Sequence, residues 1–257
     1  MGKIIAVSNQ KGGVGKTTTS VNLSSAIAEL GKRVLIIDMD PQASTTTSLG
    51  INRSTLYSTL FNVLIGEKTI QESIIKLEDI HVDILPTTIE LAHIETRLEH
   101  EDREFALHYK LQEIKDDYDY IFIDCPPSLG LLTLSALYAA DSVLIPVQCQ
   151  FLAIDGLTQL LNTIRIVQKK KKVNNRKLEV EGVLLTMLDK RTKAGWEIVH
   201  EIKDYFKDGV FETIITSNVA AQAAPTYGIP VLTYAPKSPA SRLYKSLARE
   251  VVKNNER

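Results

Sequence analysis

Residues 10–19 read Gln10-Lys11-Gly12-Gly13-Val14-Gly15-Lys16-Thr17-Thr18-Thr19, directly after the apolar run Lys3-Ile4-Ile5-Ala6-Val7. A buried strand, a glycine-rich turn and a helix start, in that order, form a cradle for phosphate. Glycines let backbone N–H groups converge on one anion, and the helix N-terminus adds the positive end of its dipole. At this spacing Lys16 reaches the terminal phosphates of a nucleotide, and the Thr17 hydroxyl reaches its Mg²⁺. The loop therefore supplies Lys11, Gly12, Gly13, Val14, Gly15, Lys16, Thr17 and Thr18 as nucleotide-binding candidates. One position departs from the common pattern. Glycine usually stands five residues before the last loop glycine; here that slot is Gln10, and a second lysine, Lys11, stands at the mouth of the loop.

Apolar β-branched runs alternate with helical patterns along the chain, which argues for parallel strands joined by helices. Strands are predicted over 3–8, 33–38, 81–85, 119–124, 142–147, 180–186, 210–215 and 230–234. Helices are predicted over 17–30, 55–65, 88–99, 104–116, 130–139, 154–169, 193–207 and 239–253. The expected fold class is α/β, a doubly wound, mostly parallel twisted sheet with helices on both faces. A chain of 257 residues with 44% apolar content can build this as one domain over 1–257. Lys169 to Lys172 read as a frayed helix end leading into a mobile loop. No run approaches the ~20 apolar residues of a membrane helix. The chain enters a strand at once, so neither a leader peptide nor a DNA-reading extension is expected. Cys125 and Cys149 follow no metal spacing and read as buried, reduced thiols of a cytoplasmic protein.

Two strand ends carry acids. In doubly wound sheets ligands sit beyond the carboxyl ends of the strands. The second strand runs into Asp38-Met39-Asp40-Pro41-Gln42. Asp38, nearer the strand, is placed to support the metal shell or the loop; Asp40, further out, is placed to orient a water on the γ-phosphate. The strand Tyr118-Asp119-Tyr120-Ile121-Phe122-Ile123-Asp124 ends in an acid of the kind that holds Mg²⁺ through water. Pro126-Pro127-Ser128 then forces the chain out of the sheet. The metal candidates are thus Thr17, Asp124 and Asp38, and the catalytic candidates Lys11, Lys16 and Asp40. No histidine is placed as a base. Phosphoryl transfer relies on positioning and charge neutralisation, so slow hydrolysis is expected.

Lys11 has a different reading from Lys16. Two ammonium groups in one loop repel unless an anion lies between them. Lys16 serves the bound phosphates, which leaves Lys11 free to point out of its own subunit. If two subunits meet across their nucleotides, each Lys11 can touch the partner's phosphates, like an arginine finger supplied in trans.

Charge is distributed unevenly. Residues 1–149 hold 12 Lys+Arg and 20 Asp+Glu, whereas residues 150–257 hold 18 and 11. The second half therefore offers a basic face to a polyanion.

These motifs carry a family resemblance. Lys-Gly-Gly-Val-Gly-Lys-Thr-Thr-Thr (11–19), Asp-Met-Asp-Pro-Gln-Ala (38–43) and Ile-Asp-Cys-Pro-Pro-Ser-Leu-Gly-Leu-Leu-Thr (123–133) resemble the ParA/Soj family of deviant Walker ATPases. So do Ile-Pro-Val-Gln-Cys-Gln (145–150) and Glu-Gly-Val-Leu-Leu-Thr-Met-Leu-Asp (181–189), and the likeness spans nearly the whole chain. The resemblance implies a weak ATPase using ATP and Mg²⁺ that partitions chromosomes or plasmids. It implies an ATP-dependent sandwich homodimer that binds double-stranded DNA without sequence preference, on the nucleoid. It also implies a centromere-binding ParB-type partner that stimulates hydrolysis. By the same resemblance Lys11 is the signature lysine, Lys16 and Thr17 the phosphate and Mg²⁺ residues, Asp40 the aspartate needed for hydrolysis, Asp124 the Walker B acid and Arg191 a DNA contact. One stretch departs: where such chains carry Arg-Asn-Val-Arg and Ser-Glu-Ala-Pro-Ser, this one reads Ser217-Asn218-Val219-Ala220-Ala221-Gln222-Ala223-Ala224-Pro225-Thr226. Two arginines are missing. Asn218 and Pro225 remain as adenine-side candidates, and the DNA surface is expected on Arg191, Lys193, Lys203, Lys207, Lys237, Arg242 and Lys245. The rivals are a MinD-like positioning ATPase docked on lipid by a C-terminal amphipathic helix, on which Leu243, Leu247 and Val251 share a face, and a nucleotide-switched DNA scaffold with little turnover.

Overall fold

A computed structural model describes residues 2–98, 103–150, 155–173 and 176–256. Seven strands form one sheet: β1 (Lys3–Val7), β2 (Val34–Asp38), β3 (Ile75–Leu77), β4 (Val82–Leu85), β5 (Tyr120–Asp124), β6 (Ser142–Gln148) and β7 (Glu179–Thr186). Their spatial order is β3-β4-β2-β5-β1-β6-β7. Every pairing is parallel except β3 with β4. The chain winds one way from β1 to reach β2, β4 and β5, and the other way to reach β6 and β7. That reversal makes the carboxyl end of β1 the crevice where such sheets bind ligands.

The helices are α1 (Lys16–Ala28), α2 (Ser44–Ser48), α3 (Leu60–Leu64), α4 (Ile70–Ser73), α5 (Ala106–Gln112), α6 (Leu131–Ala139), α7 (Asp155–Val173), α8 (Lys193–Phe206), α9 (Val219–Ala223), α10 (Val231–Tyr234) and α11 (Pro239–Asn255). They cover both faces. The strands alternate between two cores, which is why they read as continuous apolar runs. Ile4, Ala6, Leu35 and Ile37 point to the face that holds Leu60, Leu107, Leu137, Leu160 and Val199. Ile5, Val7, Val34 and Ile36 point to the face that holds Leu23, Ile27, Val231, Tyr244 and Leu247.

Several elements differ from expectation. Residues 230–234 are a helical turn, not a strand: Pro230 precedes α10, and the Asn22 side chain accepts the Val231 N–H at 2.7 Å. Residues 210–215 do not form a regular strand, although Phe211 and Ile215 donate to Val183 and Leu185 and so cover the edge of β7. The predicted helix 55–65 shrinks to α3, and 88–99 becomes a 3-10 run, Ile89–Thr96. Positions 99 and 154 of the predicted helices lie outside the described residues. Strand β3 is too short to show a period and went unread. Lys169 to Lys172 lie within α7, and Lys171 is buried with its ammonium on the Ala140 carbonyl, not frayed into a loop.

Among the described residues no helix is long and apolar enough to cross a membrane. Leu247 and Val251 of α11 are fully buried and Leu243 packs partly against the same core, beside α1. The face on which Leu243, Leu247 and Val251 lie is thus packed on the protein interior in this structure.

Candidate functional site

The loop Ser8–Gly15 crosses the carboxyl end of β1. Gly13 and Gly15 take φ of 75° and 91°, conformations that side chains disfavour. A Cβ on Gly12 or Gly13 would meet nothing within 4 Å, so the loop's outer side is open. Asn9 pins the loop's start: its amide donates to the Pro146 carbonyl at 2.7 Å and its carbonyl accepts the Lys11 N–H at 3.0 Å. The Thr186 hydroxyl pins its end by donating to the Val14 carbonyl at 2.9 Å.

Lys16 opens α1 and is buried, with its ammonium donating to the Lys11 carbonyl at 3.2 Å. Burial lowers its pKa, and the negative charges of Asp124 and Asp40 oppose that shift. An anion entering the cradle would relieve the desolvated ammonium. Lys11 is half-buried at the rim and gives the site its backbone, as both donor and acceptor.

Thr17 and Asp124 meet directly. The Thr17 hydroxyl donates to Asp124 Oδ2 at 2.7 Å, as does Thr45, and Ser20 donates to Asp124 Oδ1 at 3.0 Å. Asp124 is buried, which raises its pKa against the pull of these three donors. Hydroxyl and carboxylate oxygens beside a lysine suit a hard cation that keeps most of its water. Mg²⁺ fits that donor set through Thr17 and Asp124. Among the described residues no group of three or more His, Cys, Asp or Glu side chains could cage a metal.

Asp38 has a different position from the one expected for a metal-shell residue. It is fully buried, and its carboxylate accepts from the Thr46 hydroxyl at 2.7 Å, the Thr46 N–H at 2.8 Å and the Asp40 N–H at 3.3 Å. It holds the loop. Burial, and secondarily the neighbouring Asp124, push its pKa up to about 7. Asp40 is half-buried and turns back on its own chain, accepting the Gln42 N–H at 3.0 Å.

Beside the loop lies a cavity of about 240 Å³ whose walls include Gly15, Thr18, Met187, Asn218, Pro225 and Tyr244. The structure therefore brings Asn218 and Pro225 to the phosphate cradle. Asn218 also caps α9, its carbonyl accepting from Ala220 and Ala221. The wall beyond Pro225 packs on the turn after α2 without a side chain between them. A Cβ on Gly228 would lie 2.5 Å from Gly50 Cα.

The seven predicted DNA contacts are not brought into one patch. Arg191 is exposed but forks onto Asp189, at 2.9 and 2.8 Å. Lys203 pairs with Glu212 at 3.7 Å and Lys245 with Glu29 at 2.6 Å. Lys203 and Lys207 line a hollow with Glu181 and Gly182 at the start of β7, the end of the sheet away from the cradle. Lys193 opens α8, beyond the finish of β7. Lys237 and Arg242 flank the start of α11, whose Tyr244 lines the cavity. These three are exposed, and no acidic residue occurs between Glu212 and Glu250.

Sequence reasoning missed Ser20, Thr45, Thr46, Thr186 and Asn9. The run Ser44-Thr45-Thr46-Thr47-Ser48, rich in hydroxyls just after Asp40, was the available signal for two of them.

Known proteins resemble this chain in sequence and fold. A family model described as an AAA domain matches residues 2–180. The sporulation initiation inhibitor protein Soj of Bacillus subtilis is 49% identical over 255 residues, covering 99% of this chain and 100% of that protein. The chain belongs to the ParA/Soj family. The chromosome partitioning protein ParA of Myxococcus xanthus is 44% identical over 256 residues, covering 99% of this ParA/Soj chain and 89% of its relative. Among solved structures, cobyrinic acid a,c-diamide synthase from Mycobacterium smegmatis, with bound ADP and magnesium, superposes with a TM-score of 0.86 at 34% identity. That match covers 100% of this chain and 96% of the other. The ParA/Soj relatives are the more similar in sequence, so the differently named synthase bears on nucleotide and fold rather than on biological role.

Proposed function

We propose that residues 1–257 form one Mg-ATP-dependent ATPase unit that dimerises through its bound nucleotides, binds double-stranded DNA without sequence preference and partitions chromosome or plasmid DNA from the cytoplasmic, nucleoid-bound state. A ParB-type partner stimulates its slow turnover. The observation that carries the reading is the Thr17–Asp124 contact beneath a loop holding one buried lysine and one rim lysine.

Each residue then has a role. Lys16 and the loop amides neutralise the β- and γ-phosphates. Thr17 and Asp124 hold Mg²⁺, which when bound offsets charge on the phosphate oxygens. Asp40 orients the attacking water, and Asp38 fixes the turn that carries it. Gly12, Gly13, Val14, Gly15 and Thr18 line the phosphate side, and Asn218 and Pro225 the adenine side. Lys11 reaches the phosphates across the dimer interface. Arg191, Lys193, Lys237 and Arg242, at the cradle end of the sheet, supply the phosphate contacts to DNA. Lys203, Lys207 and Lys245 lie outside that set by position, the first two beside the start of β7 and the third on Glu29 at the C-terminal end of α1.

The test is light scattering and duplex retention in ATP, ADP, a non-cleavable ATP analogue and no nucleotide. Dimers that retain duplex only with ATP or the analogue are expected. A monomer that ignores duplex when saturated with the analogue overturns the reading.

A further inference from the structure

Two consecutive threonines of α2 touch both strand-end carboxylates. Thr45 donates to Asp124 Oδ2 at 2.7 Å, while Thr46 donates twice to Asp38 Oδ2, from its hydroxyl at 2.7 Å and its N–H at 2.8 Å. Both threonines are fully buried, as are the two acids to within 1%. Neighbouring helical residues point about 100° apart, so one short helix serves two acids only when these stand side by side. The sheet provides that: Asp38 and Asp124 are register partners on β2 and β5.

Helix α2 has little reason to form by itself. Its sequence is Ser-Thr-Thr-Thr-Ser, five residues of modest helix propensity, and isolated helices this short are unstable in water. Ala43 before it takes a left-handed φ of 55°, which costs energy for a residue with a Cβ. The Ala43 N–H donates to the Asp40 carbonyl at 2.8 Å, so the strained residue closes the turn that carries Asp40. The side-chain bonds to the acids therefore hold α2, and α2 holds the turn. Thr46 Oγ1 also accepts the Thr87 N–H at 3.1 Å, tying the same point to the end of β4. Asp124 Oδ2 accepts from Thr17 and Thr45 alike, so the acid that answers to the phosphate loop also answers to α2.

We propose that Thr45 and Thr46 are positioning residues for hydrolysis: anchored on Asp124 and Asp38, they fix the 39–43 turn and so aim Asp40 at the terminal phosphate. This rests on the reading of the site as a Mg-ATP hydrolase. Neither threonine touches the nucleotide in this role, so their loss falls on the rate rather than on binding.

The experiment measures kcat and KM for ATP, affinity for a fluorescent ATP analogue with Mg²⁺, and melting temperature. It compares the wild type with Thr45→Val, Thr46→Val, Thr45→Ser and Thr46→Ser. The valine variants are expected to bind the analogue within about twofold of wild type and to lose about tenfold or more in kcat, the scale of a misaimed group. The serine variants keep the hydroxyl and recover most of the rate. If Thr46→Val does not fold, Thr45→Val carries the test alone, because Asp124 retains Thr17 and Ser20 as donors. Wild-type kcat in a folded Thr45→Val, or a loss of analogue binding as large as the loss of rate, overturns the proposal. A wild type that neither binds nor cleaves ATP overturns the hydrolase reading itself, and the proposal with it.

Discussion

The Thr186 hydroxyl at the end of β7 donates to the Val14 carbonyl in the phosphate loop, 172 positions away in sequence, at 2.9 Å. Both residues are buried. The loop is thereby gripped by β7, two strands from β1, as Asn9 grips Pro146 on the intervening β6. In Thr186→Val the carbonyl is left buried without a donor, at a cost of about 1–3 kcal/mol. The expected outcome is a lower melting temperature together with several-fold weaker nucleotide binding, read by thermal melting and a binding titration. Nucleotide affinity equal to wild type would show that the loop keeps its shape without this bond.

The two loop lysines are expected to separate experimentally. Lys16 is buried beside Asp124 and Asp40, whereas Lys11 stands at the rim. Lys16→Ala should abolish nucleotide binding in the micromolar range. Lys11→Ala should bind ATP as a monomer and fail to dimerise in it. Light scattering beside a nucleotide titration distinguishes the two, and an ATP-induced dimer of Lys11→Ala would remove the trans role from Lys11.

Asp38 gives a pH dependence with a definite sign. Its carboxyl is raised from 3.8 to about 7, mainly by burial. Between about pH 4 and pH 7 the folded chain holds a proton that the unfolded chain has released, so stability falls as pH rises through that window and levels off above it. Asp38→Asn lacks this titration. In urea denaturation without nucleotide, the stability of the wild type relative to Asp38→Asn should fall by up to a few kcal/mol across the window. A difference that stays flat with pH would show Asp38 to be charged throughout.

Arg191 and Arg242 should differ in their weight on DNA. Asp189 already forks onto Arg191, and that pairing draws the Asp189 carboxyl down to about 2. Arg242 is exposed and, among the described residues, enters none of the ion pairs. Each arginine lost as a phosphate contact should lower the slope of log affinity against log salt by roughly one. The larger loss is expected for Arg242→Ala and the smaller for Arg191→Ala, with nucleotide binding unchanged in both. Filter binding over a salt series measures it, and equal, zero-slope effects would take both residues off the DNA surface.

The cradle was legible because its signal is local: the strand, the glycines and the helix start all lie between Lys3 and Lys16. Asp38 and Asp124 were legible as strand ends because the continuous apolar runs of β2 and β5 stop at them. The role of Asp38 was only half legible, since its partners on α2 are chosen by sheet register. Residues 230–234 read as a strand from their β-branched and aromatic content, but the Asn22 side chain and the Ser241 hydroxyl take the backbone groups of Val231 and curl the segment. Helix α2 was invisible for the converse reason: its threonines disfavour a helix until two buried acids claim them. Charge counted along the chain found a basic half but could not say which cations already had partners.

Gly50 and Gly228 leave the turn behind α2 and the wall of the cavity beside the phosphate loop in backbone-to-backbone contact. Two surfaces that touch without side chains have no slack between them. The cavity wall and the turn behind α2 therefore meet at these two glycines. A methyl group at Gly228 would wedge them apart, and would do so without altering any residue that lines the cavity.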